Sequence, residues 1–121
     1  MSLYIAVGSS PENAPLRVLR RHELARTIAG KQVQTDSSTP ERKRLQVTEH
    51  FHKDGRYLRE SQGREALGYY RFDEDAVCVQ RFREGSWQCK IAVVDGQGRM
   101  WFIRSLEPAH FEQVVVSEIP K

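Results

Sequence analysis

After residue 30, the sequence consists of short strand-like segments separated by turn-forming residues. Within one of them, Leu45, Val47 and Phe51 fall on one face, which is the two-residue period of a β-strand. Dipeptides such as Asp54-Gly55, which favour tight turns, separate several of the segments. The eight segments are residues 31–36, 45–52, 55–62, 66–72, 76–82, 86–94, 99–105 and 110–117. This succession predicts an all-β fold with antiparallel strands.

Short connections between successive segments favour an up-and-down meander, in which each strand pairs with the next. Closing such a meander into a barrel removes the edge strands that would otherwise promote aggregation. We therefore predict an antiparallel, up-and-down, eight-stranded barrel. A barrel of this size is filled by side chains or holds one small ligand.

One short helix is predicted ahead of the barrel, at about residues 20–29. Leu24 and Ile28 lie four residues apart, and Gly30 follows at a position where helices commonly end. Because the apolar stripe is narrow, we expect this helix to pack on the barrel or to close one end of it.

Length and composition limit the class of protein. The 121 residues predict one barrel domain at residues 16–121, after a flexible lead-in at residues 1–15. A composition that is 39% hydrophobic and 29% charged is typical of globular proteins and excludes a disordered chain. No run reaches the roughly 20 apolar residues that a membrane-spanning helix needs. The net charge of +3 fits either a solvated surface or an anionic partner such as nucleic acid.

The only two cysteines, Cys78 and Cys89, lie on either side of a predicted turn at Glu84-Gly85. A two-residue turn at this position makes the two cysteines diagonal neighbours on one face of the sheet. The distance between diagonal neighbours is at the outer limit for a disulfide, unless a bulge or a strong twist brings them closer. We predict that they form a disulfide in a periplasmic or secreted protein. Residues 1–3 are then a remnant ahead of a mature N terminus whose signal peptide is removed. Buried free thiols in a cytoplasmic protein are the alternative.

His50 and His52 share one face of a strand, as metal-binding histidines often do. The predicted register places Tyr57 and Arg59 opposite them, and neither is a good ligand for a divalent ion. An exposed polar face is therefore favoured, and we predict neither a metal nor another cofactor.

A two-residue turn at Asp54-Gly55 also places Glu49 opposite Glu60, on the face that carries Phe51. Two carboxylates that face each other on an apolar face repel and therefore share a proton. Catalytic acid–base pairs have this arrangement. A hydrolase that uses these two residues is one possible function, but a position of this face at the barrel rim, or a bulge that moves one glutamate outward, is favoured. No other catalytic motif is present in the sequence, so we predict no catalytic residues.

Large rings and two arginines supply the candidate binding residues. Arg71 and Arg104 each interrupt an apolar strand, and an inward arginine beside rings would require an acidic partner or an anionic ligand. Rings that fill the core, with arginines on the outside, are the alternative. The residues predicted to bind a ligand are Tyr57, Tyr69, Arg71, Trp87, Phe102 and Arg104.

Several short motifs follow one another over residues 22–105. They are Leu24-x-x-x-Ile28-x-Gly30-Lys31, Glu49-His-Phe-x-x-Asp-Gly-Arg-Tyr57, Gly68-Tyr-Tyr-Arg-Phe72 with Cys78 beyond it, Trp87-x-Cys89, and Asp95-Gly-x-Gly-Arg99. Their order resembles a group of small proteobacterial exported proteins with a lipocalin-like barrel, mostly of unknown function. The resemblance implies this fold and an envelope location.

The function that these features favour is a non-catalytic envelope barrel. We expect it to bind a small apolar, amphipathic or anionic ligand, or a protein partner, through its open end. A cytosolic small barrel that binds nucleic acid is the second hypothesis, because basic residues interleaved with rings suit single strands.

Overall fold

The computed structural model describes residues 15–38, 44–82, 85–106 and 109–120. This part of the chain contains one helix, α1 (Arg21–Ile28), and nine strands. The predicted lead-in lies outside the described residues except for Pro15. The strands are β1 (Arg17–Val18), β2 (Lys31–Ser38), β3 (Arg44–Phe51), β4 (Arg56–Ser61), β5 (Arg64–Asp73), β6 (Ala76–Arg81), β7 (Gln88–Val94), β8 (Met100–Leu106) and β9 (Ala109–Glu118).

Strands β2 to β9 form a closed, antiparallel, up-and-down barrel. Each strand pairs with its successor, and β9 closes the barrel by pairing with β2. The two-residue strand β1 pairs with β7 outside this eight-stranded order. The prediction of an all-β fold with an eight-stranded barrel and one short helix is therefore confirmed.

Alternation along each strand separates the interior from the outer surface. In β5, Tyr70 points inward, whereas Tyr69 on its N-terminal side is 51% exposed. Gly68 is required by a close approach of two strands, because a Cβ atom there would collide with the carbonyl oxygen of Gln80 in β6. The glycine also leaves the barrel interior without a side chain at this position.

Aromatic and aliphatic side chains fill the barrel from the end that carries the helix. Phe51 and Tyr70 contact each other with ring centroids 5.1 Å apart, and both belong to one continuous apolar cluster. Leu24 and Ile28 of α1 are fully buried in the same cluster, so the helix closes this end. Burial of such side chains contributes roughly 1.5–3 kcal/mol each.

The turn between β5 and β6 fixes the start of the helix. The backbone N–H of Arg21 donates to Oδ1 of Asp75 at 2.9 Å, and the Arg20 guanidinium lies 2.9 Å from Oδ2 of the same carboxylate. A carboxylate at a helix N-terminus satisfies an amide that has no partner within the helix. The helix is thus attached to the barrel by its apolar face and by its first turn.

Cys78 and Cys89 form a disulfide between β6 and β7, as predicted. The predicted diagonal placement is wrong, because the two cysteines are direct cross-strand partners with Cα atoms 4.0 Å apart. The reason is the position of the last pair before the connection, Val79 opposite Gln88, which leaves residues 80–87 between the paired positions and moves the midpoint of the hairpin one residue towards the N terminus from the predicted turn. The register therefore differs by two residues, which leaves both cysteines on the same face.

Removal of the disulfide is expected to destabilise the barrel. In the double variant Cys78→Ala/Cys89→Ala, the free energy of unfolding should fall by about 2–3 kcal/mol, because the unfolded chain regains the entropy of an open loop. Urea denaturation of the variant and of oxidised wild type measures the difference. Wild type kept in reductant is the control and should resemble the variant. Equal stability of all three proteins would contradict this role.

Asp95 organises the turn between β7 and β8 with a buried carboxylate. Its Oδ1 accepts backbone N–H groups from Gln97 at 2.8 Å and Arg99 at 3.0 Å. Its Oδ2 accepts Nε of Arg99 at 2.8 Å and Nε1 of Trp101 at 3.2 Å. Burial raises the pKa of Asp95, but these hydrogen bonds outweigh it and lower the pKa to about 2.

This pKa predicts a specific loss of stability in acid. The ordinary pKa of 3.8 applies to Asp95 in the unfolded chain, which therefore binds the proton more readily than the folded barrel does. The stabilisation is fully present above pH 3.8 and is lost as the pH falls towards 2. In Asp95→Asn, the free energy of unfolding should fall less steeply across this window than in wild type, as measured by urea denaturation at stepped pH. An unchanged slope in Asp95→Asn would refute the assignment.

Candidate functional site

A cavity of about 100 Å³ lies inside the barrel at the end away from α1. Arg81 and Gln88, which line it, flank the β6–β7 connection, whereas the Asp75 turn that holds the helix lies at the other end of β6. The lining residues come from β3, β4, β6 and β7. They are Glu49, Tyr57, Arg59, Val79, Arg81, Gln88, Cys89 and Lys90.

A buried ion pair forms the wall of this cavity. Nζ of Lys90 lies 2.7 Å and 3.0 Å from the two carboxylate oxygens of Glu49, and both side chains are almost inaccessible to solvent. Nζ of Lys90 also lies 4.4 Å from the centroid of the Phe102 ring. Two charges removed from water need such close partners, because desolvation of each ion costs several kcal/mol.

Tyr57 completes the network. Its hydroxyl donates to Oε2 of Glu49 at 2.5 Å. Burial raises the pKa of Tyr57 far above its ordinary value, and the neighbouring Glu49 carboxylate raises it further. The phenol therefore stays protonated and acts as a hydrogen-bond donor rather than as a base.

Two arginines add positive charge to the cavity. Arg59 is the cross-strand partner of Glu49, and Arg81 is the last residue of β6. Both side chains are half-buried. With Lys90, the lining contains three cations and one carboxylate, so its formal charge is +2.

The predicted pairing of Glu49 with Glu60 is wrong. Glu49 lies opposite Arg59, and Glu60 lies opposite Thr48 on the outer face. The cause is the turn between β3 and β4, where His52 N–H donates to the Arg56 carbonyl, so that three residues form the turn. A register shift of one residue reverses the face of every side chain, and the facing carboxylates of the hydrolase hypothesis do not form.

The same shift changes the surroundings of the histidines. His50 lies opposite Leu58 rather than Arg59, and its Nε2 is 3.0 Å from Oε1 of Gln32. His50 and His52 contact each other with ring centroids 6.0 Å apart. Among the residues that the structure describes, no group of three or more His, Cys, Asp or Glu could hold a metal ion.

The predicted ligand-binding residues whose side chains the structure describes are not brought together in one place. Tyr57 lines the cavity and Phe102 packs behind Lys90, both inside the barrel. Tyr69, Arg71 and Trp87 lie on the outer side of the wall, where the Arg71 guanidinium is 4.1 Å from the Trp87 ring centroid. The backbone of Arg104 belongs to β8, and its side chain lies outside the described part of the structure.

Sequence reasoning missed Arg59, Arg81 and Lys90 as interior residues. For Arg81 and Lys90, the alternation of side chains along the strand does predict an inward position. Arg81 follows Val77 and Val79 at two-residue spacing, and Lys90 precedes Ala92 in the same way, so each shares a face with buried apolar residues.

No protein-family model matches the sequence, and no curated protein or solved structure matches it significantly. In the described part of the chain, no helix has the length and apolar character needed to cross a membrane.

Breaking the interior ion pair should destabilise the protein. Lys90→Met removes the ammonium that contacts both oxygens of Glu49, and the free energy of unfolding should fall by about 3 kcal/mol or more. The double variant Glu49→Gln/Lys90→Met should recover much of this loss, because the buried charge is also removed. Urea denaturation measures both changes.

The matched control is the exposed pair of Arg17 and Glu23, whose charged atoms are 2.9 Å apart. Arg17→Met should change the free energy of unfolding far less than Lys90→Met does, because water screens this pair. If Lys90→Met were as mild as Arg17→Met, the buried pair would not contribute as described.

Proposed function

We propose that the protein is a non-catalytic binding barrel of the cell envelope, which holds part of a small amphipathic ligand at its open end. The observation that carries the proposal is the cavity beside Glu49 and Lys90, at the opposite end of the barrel from the helix and its apolar contacts. Barrel mouths are common places for ligand sites.

The size of the cavity limits what it can hold. Its volume of about 100 Å³ is several times the roughly 30 Å³ that one water occupies in the liquid. It is well below the roughly 300–1,000 Å³ of pockets that enclose a drug-sized molecule. A head group of a few heavy atoms fits inside, and the rest of the ligand would then extend past the rim.

A binding role also suits the state of the ionisable groups. Glu49 is held by Lys90 and Tyr57, and the raised pKa of Tyr57 keeps its phenol protonated. Neither residue is therefore poised as a general base. The groups are arranged to hold fixed charges in fixed positions, which favours recognition over proton transfer.

The disulfide supports a location outside the cytosol, because the cytosol keeps most thiols reduced. The resemblance to exported barrel proteins supports the same location. Both weigh against the hypothesis of a cytosolic barrel that binds nucleic acid.

Occlusion of the cavity tests the proposal. With ¹⁵N-labelled protein, 1-hexanol and hexanoate serve as neutral and anionic short amphiphiles. We expect at least one of them to shift the amide signals of Val79 and Gln88 in a saturable manner. Val79→Phe places a larger side chain in the cavity and should abolish these shifts.

Val115→Phe is the matched control, because Val115 is 60% exposed and lies away from the cavity. It should leave the titration unchanged, and both variants should keep a dispersed spectrum. The proposal fails if neither probe shifts the cavity amides of wild type, or if Val79→Phe binds as wild type does.

A further inference from the structure

We infer that the outer wall of the barrel, beside its open end, docks onto the surface of a phospholipid membrane. The inference goes beyond the proposed function, because it concerns the outside of β5 and β6 rather than the cavity. It starts from a cluster of exposed apolar side chains, Leu67, Tyr69 and Phe82, which we call the rim patch.

The rim patch is continuous. Among the residues that the structure describes, five large hydrophobic residues are exposed, and three of them form this patch. Leu67 and Tyr69 are two residues apart on the outer face of β5, and the backbone N–H of Phe82 donates to the Leu67 carbonyl at 3.0 Å. The rings of Tyr69 and Phe82 contact each other with centroids 5.1 Å apart. Each of the three residues is more than half exposed, so the patch is an apolar surface in contact with water.

Amphipathic side chains extend the rim patch on the same outer face. The half-buried Leu58 is the direct cross-strand partner of Leu67. Arg71 follows Tyr69 at two-residue spacing, and its guanidinium lies 4.1 Å from the centroid of the Trp87 ring. Tyrosine, tryptophan and arginine bury an apolar body while a polar end stays in water, and such residues are enriched at membrane interfaces.

Charged side chains of both signs border the rim patch. They include Arg56, Arg71, Asp54, Asp73, Glu60 and Glu65. Because carboxylates are present beside the guanidinium groups, the border has no excess of positive charge that would select anionic lipids. It is complementary to zwitterionic head groups, whose phosphate pairs with arginine and whose cationic end pairs with a carboxylate.

The shape of the wall favours a lipid surface over a peptide. Strand β5 is paired with β4 on one side and with β6 on the other, so neither of its edges can accept an added strand. A peptide helix is bound in a groove, whereas the outer wall of a closed barrel is convex. Lipid molecules move apart around a convex group of side chains, so this shape does not prevent shallow insertion.

The size of the rim patch also distinguishes between partners. A large side chain covers roughly 150–250 Å² when it is fully buried, so three that are about half exposed offer about 300 Å². A stable protein interface buries about 800 Å² on each partner. A second copy of the chain would therefore need much more surface than the patch supplies. Insertion into a lipid interface has no such minimum, because each apolar side chain contributes by its own transfer from water.

The position of the rim patch is also suited to an amphipathic ligand. Phe82 directly follows β6, at the end of the barrel that contains the cavity. A membrane surface held at this end lets an amphiphile pass between the lipid and the barrel mouth without crossing bulk water.

Flotation with vesicles of phosphatidylcholine alone tests the inference. Wild type should bind the vesicles, and added salt should leave this binding nearly unchanged, because the border of the patch carries charges of both signs. The double variant Tyr69→Ser/Phe82→Ser should bind the vesicles about tenfold more weakly or worse, because the apolar contribution of two rings is lost.

Val115→Ser is the matched control. Val115 is also exposed, but it lies on β9 opposite Gln34, away from β5 and β6. Its replacement removes an apolar side chain of comparable exposure and should leave vesicle binding unchanged. Urea denaturation confirms that each variant is folded, as expected for replacements on the outer face.

Four outcomes would overturn the inference. The first is a wild type that does not float with the vesicles, and the second is a double variant that floats as wild type does. The third is binding that requires anionic lipid and is abolished by salt, because net charge rather than the rim patch would then carry it. The fourth is a dimer of wild type without lipid that Tyr69→Ser/Phe82→Ser dissociates, because the patch would then be an interface between two copies.

The same proteins separate this inference from the proposed function. Val79→Phe fills the cavity and should float as wild type does, whereas its failure to float would assign the lipid contact to the cavity and contradict the inference. Vesicle binding in the absence of any shift of the cavity amides by 1-hexanol or hexanoate supports the inference and removes the proposed function. Shifts without vesicle binding do the reverse.

Discussion

The pairing of β2 with β9 is the contact on which the rest of the structure depends. It runs from Lys31 opposite Glu118 to Thr35 opposite Val114, and it joins the first barrel strand to the last. Without it, the strands would form an open sheet with two exposed edges. Closure turns one face of the sheet into an interior. Glu49 is buried in this interior, whereas Glu60 on the neighbouring strand faces outward.

The strands and turns could be predicted because their signals are local. The register in which neighbouring strands pair could not be predicted, because it depends on turn geometry that a dipeptide does not specify. At the Cys78–Cys89 hairpin, the predicted register was wrong by two residues. A shift of two keeps both sulfurs on one face, so the disulfide prediction was still confirmed. Between β3 and β4, the predicted register was wrong by one residue, which reverses the face of each side chain, so the predicted pair of facing carboxylates does not form.

The candidate site was harder to predict than the fold, because the strands around it are ambiguous. In β4, Tyr57 alternates with Leu58, so both faces carry a large apolar side chain. In β5, Tyr69 and Tyr70 are adjacent, and either could be the inner residue. Tertiary contacts, which the sequence pattern does not encode, place Tyr57 and Tyr70 inside. The prediction that Arg71 belongs with the interior rings depended on this unresolved choice.

The two ends of the barrel are stabilised by different interactions. At one end, the helix supplies Leu24 and Ile28, and apolar burial holds the strands together. The other end contains the cavity, whose lining includes the charged side chains of Glu49, Arg59, Arg81 and Lys90. The disulfide of Cys89 lies directly beside Lys90 in β7, and Lys90 joins that strand to Glu49 of β3 across the interior. A covalent bond and an ion pair thus fix the positions of the strands that line the cavity, in addition to the hydrogen bonds of the sheet.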